Sequence, residues 1–142
     1  MKRFTRCICI LLVLSLFVPT PALASSAQNS RASYYFAASM AYLETTTGNT
    51  FQVCFNVTCT GIMEEVGANF IKIQCRASEN EEWETVEKFT KADYPNLIDY
   101  NQTTHAATVS YTGTSGYEYR AYIELYAKNS NGKAYYPKYA YF

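Results

Sequence analysis

Phe51-Gln52-Val53-Cys54-Phe55-Asn56-Val57-Thr58-Cys59 is the stretch on which the fold turns. Phe51, Val53, Phe55 and Val57 alternate with Gln52, Cys54, Asn56 and Thr58. Apolar and polar side chains therefore take opposite sides, the period-2 pattern of a half-buried strand. Phe70 to Arg76 repeats it: Ile71, Ile73 and Cys75 share one face, Lys72, Gln74 and Arg76 the other. Gly61 and Gly67 are expected to bracket a connection between two separate strands.

Outward from this pair the chain stays rich in Tyr, Thr, Val and Phe, a strand composition. Trp83, Thr85, Glu87 and Phe89 alternate with Glu84, Val86 and Lys88, a strand whose facing is ambiguous, after a turn at Ser78–Glu82. Ala106–Tyr111 is a further strand, and Gly113-Thr114-Ser115-Gly116 turns the chain. In the longest strand, Tyr117–Ala127, Tyr117, Tyr119, Ala121, Ile123 and Leu125 oppose Glu118, Arg120, Tyr122, Glu124 and Tyr126. Asn131-Gly132 marks a hairpin. The last strand, about Lys133–Tyr141, carries Pro137, which lacks an N–H and belongs at a sheet edge. Tyr34–Thr45 permits a short helix capped by Ser33 or a strand; strand is preferred because it completes seven. Seven short strands over residues 33–142 predict one all-β domain, an immunoglobulin- or fibronectin-like antiparallel β-sandwich. A tyrosine corner at Tyr117 or Tyr119 would suit it. An outer-membrane barrel, prompted by Phe142, is disfavoured because Lys138 and Ala140 break the apolar alternation.

The N-terminus reads as an export signal. Lys2, Arg3 and Arg6 precede an apolar run from Cys7 to Val18, then Pro19-Thr20-Pro21 and Ala22-Leu23-Ala24. This basic, apolar, small-x-small order predicts a secretory signal peptide over 1–24, cleaved between Ala24 and Ser25. The run is shorter than the ~20 residues that cross a bilayer. Residues 25–32 are small and polar, a flexible leader. Free release into the extracellular space is expected, without stable membrane insertion once the signal is removed. The chain from Ser25 has 9 Lys+Arg against 12 Asp+Glu, a net charge of −3. That balance argues against nucleic acid or an anionic membrane as partner.

Cys54, Cys59 and Cys75 remain after cleavage. Cys54 and Cys59, five residues apart on one strand, are separated by roughly 17 Å, against the ~5.5 Å between Cα atoms that a disulfide needs. Cys59 and Cys75 both face inward but sit at different heights, and Cys54 and Cys75 match in hairpin register while facing opposite ways. No disulfide is favoured; Cys54–Cys75 is the pair if any forms, through a bulge. One histidine and no close cysteine spacing give no metal site, and no cofactor is implied.

Chemistry-bearing residues are sparse. His105, the single histidine, has Asp93, Asp99 and Ser110 available as partners, with no spacing that marks a nucleophile and its base. Glu79, Glu81, Glu82 and Glu84 lack the Asp/Asn/Gly pattern of a calcium loop and read as a solvated hairpin tip. Asn56-Val57-Thr58 and Asn101-Gln102-Thr103 fit the N-glycosylation pattern, which carries meaning only outside bacteria. The connection Asp93–Thr103, with Asp93, Asp99 and Tyr100, is the best-placed loop for binding. Tyr122 and Tyr126 share the polar face of their strand with Arg120, and an exposed tyrosine offers a flat ring with a polar tip for a glycan or a protein.

Arg31-Ala32-Ser33-Tyr34-Tyr35, Phe55-Asn56-Val57-Thr58-Cys59-Thr60-Gly61, Asp93-Tyr94-Pro95-Asn96, Val109-Ser110-Tyr111-Thr112-Gly113 and Tyr119-Arg120-Ala121-Tyr122 together resemble a group of small secreted proteins from Gram-positive, clostridia-type bacteria. The resemblance spans nearly all of the chain after the signal. It implies location and fold, carries no mechanism, and favours free thiols. The expectation is a secreted, non-catalytic extracellular module that binds a glycan or protein surface, with self-association through an edge strand. The rival is a small hydrolase using His105 with Asp93 or Asp99. A secreted effector acting on competing cells would show the strong basicity or dense cysteines that this chain lacks.

Overall fold

The computed structural model describes residues 34–142. The signal peptide, its Ala24/Ser25 cleavage point, the 25–32 leader and Ser33 lie outside the described residues. The chain is all-β: β1 (Phe36–Thr45), β2 (Thr50–Arg76), β3 (Glu84–Thr90), a single 3-10 turn at Pro95–Leu97, β4 (Ile98–Thr112), β5 (Glu118–Asn129) and β6 (Gly132–Tyr141). They form one curled, six-stranded antiparallel sheet in the order β1-β2-β5-β6, with β3 and β4 also paired to β2.

The strand count corrects the sequence expectation. Phe51–Cys59 and Phe70–Arg76 are the two ends of a single 27-residue strand, β2. Its first half pairs with β1 and β4, its second half with β5 and β3. Only Glu65 to Gly67 pairs with β4 and β5 at once, so β2 changes both its partners over those residues. The strand bends there because its inward-facing set slips phase. Core residues fall on odd numbers from Phe51 to Met63, on even numbers at Val66 and Ala68, and on odd numbers again at Ile71 and Ile73. Asn69 is the extra residue at the second slip. The two glycines taken as turn markers differ in role. Gly61 has open space where a side chain would stand. Gly67, at φ 149°, lets the backbone carbonyl of Leu97 approach where a Cβ would sit.

Both halves of β2 turn their apolar residues into one core. Val53, Val57, Val66, Ile71 and Ile73 pack with Leu97, Ile123 and Leu125, all fully buried. Each such aliphatic side chain contributes ~1.5–3 kcal/mol on leaving water. β1 and β6 meet along the open seam without pairing, joined by Phe36 against Tyr136 with ring centroids 6.0 Å apart. Pro137 lies on β6, the terminal strand of that order, which answers its missing N–H. Residues 36–45 take the strand form rather than the helix.

β4 starts eight residues before its expected beginning, so Asp93–Thr103 is mostly not a loop. Ile98 to Gln102 already pair with β2, and only the short segment through Leu97 stays irregular. At the other end of β4, the Thr114 N–H donates to the Tyr119 hydroxyl at 2.7 Å. Tyr119 thus ties its phenol to upstream backbone, as a tyrosine corner does, on a sheet with different connections.

Candidate binding face

The alternation of β5 decides the candidate site. Ala121, Ile123, Leu125 and Ala127 enter the core, which leaves Arg120, Tyr122, Glu124, Tyr126 and Lys128 on the outer face. Antiparallel register extends each of these across the sheet. One row runs Lys88, Lys72, Tyr122, Tyr139 over β3, β2, β5 and β6. The next runs Thr85, Gln74, Arg120, Tyr141.

Aromatic rings and cations interleave on this face. Tyr122 and Tyr139 meet edge to face, centroids 5.1 Å apart at 64°, and Phe70 flanks Tyr122 at 5.8 Å. The Arg120 guanidinium lies 4.4 Å from the Trp83 ring centroid and 4.9 Å from that of Tyr139, while its Nε–H donates to Gln74 Oε1 at 2.9 Å. Arg76 stacks on Trp83 as well and pairs with Glu118. Lys72 and Lys88 lean on Phe70, with Nζ at 5.2 and 4.6 Å from its centroid. Burial, followed by Glu124 and Tyr139, raises the Tyr122 phenol above its ordinary value, so it stays a neutral hydrogen-bonding tip.

The residues anticipated from the sequence divide here. Arg120 and Tyr122 stand together on the open face. Tyr126 is on the same side but only 4% exposed, beneath Tyr135 and the Lys91 ammonium 4.2 Å from its ring, so it supports the face rather than meeting a ligand. Asp93, Asp99 and Tyr100 do not join them. Asp93 accepts from the Thr90 hydroxyl at 2.6 Å and closes the turn after β3. Asp99 and Tyr100 lie on β4, which pairs with the other edge of β2; Tyr100 is 62% exposed. Lys72, Lys88 and Trp83 were not anticipated. The bulge that inserts Val86 into β3 sets Thr85 and Lys88 on one face despite their odd spacing, and no single-strand alternation shows that.

His105 is 13% exposed in its side chain and sits at the bend of β2. Its Nε2 lies 2.8 Å from the Asn96 carbonyl oxygen and its Nδ1 3.8 Å from the Asp99 carboxylate. Cys54, Cys59 and Cys75 are free and buried. Cys54 and Cys75 occupy opposite halves of β2, so the hairpin register that would have matched them does not arise. Among the described residues no three carboxylate, imidazole or thiol groups converge as metal ligands. One cleft of about 250 Å³ opens between the turns at 48–50 and 113–117 beside Phe51, Tyr119 and Phe142, and another of about 200 Å³ lies by Met40, Tyr42 and Cys54. Both fall below the ~300–1,000 Å³ of typical small-molecule sites.

No protein-family model, no curated protein and no solved structure matches this chain.

Proposed function

We propose that this is a secreted, non-catalytic binding module that captures a glycan or protein surface through the outer face of β5 and β6. The observation that carries the reading is the pairing of Tyr122 with Tyr139 beside Arg120, on the solvent side of a sheet whose other side is core. Flat rings with polar tips, held by a rigid sheet, lose little freedom when a ligand lands on them. The curled sheet then serves as an immunoglobulin-like sandwich serves, as a stiff platform. Export rests on residues 1–24, and the likeness to small secreted proteins of clostridia-type bacteria agrees with it.

The hydrolase reading has Asp99 near His105 in its favour. A His-based site needs one ring nitrogen for the orienting carboxylate and the other for the nucleophile. Here the second nitrogen is taken by a backbone carbonyl, and Asp93 is bonded to Thr90. The test is a glycan array and a cell-wall binding assay with the purified protein and its Tyr122→Ala/Tyr139→Ala variant. Capture that falls at least tenfold with an unchanged thermal midpoint supports the module. Undiminished capture, or a turnover abolished by His105→Ala, overturns it.

A further inference from the structure

Lys72 and Lys88 are directly opposed across β2 and β3 on the outer face, and neither has a carboxylate within ion-pair distance among the described residues. Like charges placed opposite one another on adjacent strands repel. Elsewhere on this face the acids are engaged: Glu65 with Lys91 and Lys128, Glu118 with Arg76, and Glu124 with the Asn69 amide. Of the described lysines and arginines, all but Lys138 stand on this face. The net charge of −3 from Ser25 onward therefore conceals a segregation: the surplus acid lies in the 78–84 turn and on other surfaces, the unpaired cations here.

We propose that the row Lys88, Lys72, Tyr122, Tyr139, with Arg120 alongside, binds an acidic polysaccharide whose carboxylates meet the ammonium groups while its pyranose faces lie on the tyrosines. This rests on the binding-module reading and names its ligand class. Neighbouring residues of the row are one strand spacing apart, ~4.8 Å, so charge and ring succeed each other within a span of ~14 Å. A uronate chain supplies both chemistries along one backbone. Single-stranded nucleic acid, which also takes cations beside aromatic rings, is the rival occupant that the test below distinguishes.

The experiment compares polygalacturonate with its fully methyl-esterified form, which keeps the sugar faces and removes the charge. The acid form is expected to bind at least tenfold more tightly at low salt, with the advantage fading as salt rises. Lys72→Gln/Lys88→Gln should bring its affinity down to that of the ester, while Lys72→Arg/Lys88→Arg retains binding. Circular dichroism melts of both variants confirm the fold. Equal affinity for acid and ester, no effect of the double glutamine variant, or equal or tighter binding of oligo(dT) overturns the proposal. Tyrosine-dependent capture without charge preference overturns this inference and leaves the module standing, so the two failures are distinguishable.

Discussion

The Nε2–H of His105 donates to the carbonyl oxygen of Asn96 at 2.8 Å, and the edge of its ring meets Phe55 at 5.8 Å between centroids. The imidazole thereby fastens the 95–97 turn to the sheet.

His105→Ala should accordingly act on stability. It removes the donor from a carbonyl at the bend and opens space beside Phe55, a cost of about 1–2 kcal/mol, or roughly 4–8 °C per kcal/mol in thermal midpoint for a domain near this size. Thermal melts followed by circular dichroism measure it. Glycan capture by the variant, read below its midpoint, should match the parent because the cation–aromatic row is carried by other strand positions.

Gly67 and Gly61 make a matched pair for the bend. At Gly67 a methyl group would enter the space of the Leu97 carbonyl and touch the His105 ring, on a backbone at φ 149°. Gly67→Ala should cost on the order of 3 kcal/mol or more, and Gly61→Ala, with open space around it, about 0.5 kcal/mol or less. Urea denaturation of both variants compares them; equal effects would show that the Leu97 contact does not constrain the strand.

This bend is also where the sequence stops being legible. The facing of β5 and the edge position of β6 follow from period-2 alternation and from Pro137, both local properties. The fusion of two expected strands into β2 does not. Gly61 and Gly67 look alike in sequence, and only the tertiary approach of Leu97 tells them apart. Likewise Arg120 and Tyr122 were readable from one strand, whereas Lys72 and Lys88 become neighbours through register and the Val86 bulge, which depend on another part of the chain.

Glu65 links the bend to pH. Hydrogen bonds and charge from Lys128, and then Lys91, hold its carboxyl below the ordinary value against a smaller opposing effect of burial. Its contribution is complete above the ordinary carboxylate range, where both folded and unfolded states are ionised. It is lost as pH falls through the lowered folded value, because protonation then releases both lysines. Glu65→Gln should therefore destabilise the protein at neutral pH and flatten the acid limb of its stability profile, as measured by urea midpoints across a pH series. A variant whose acid limb keeps the parent slope would refute the clamp.

Cys59 reports on core integrity. It faces inward on β2, 3% exposed, and burial pushes its thiol up to about 11. At neutral pH roughly one molecule in ten thousand then carries the thiolate, the form that attacks electrophiles and disulfides. Cys75 is raised in the same direction, first by burial and then by Glu84. Cys54 lies on the opposite face of the strand, where the Thr108 hydroxyl donates to its sulfur at 3.5 Å. Maleimide labelling followed by intact-mass spectrometry should leave Cys59 unmodified in the native protein for as long as it stays folded, and modify it promptly in denaturant. Labelling of native Cys59 faster than the unfolding rate would mean that the core between the two halves of β2 opens on its own, which the packing of Val57, Met63 and Leu125 does not allow.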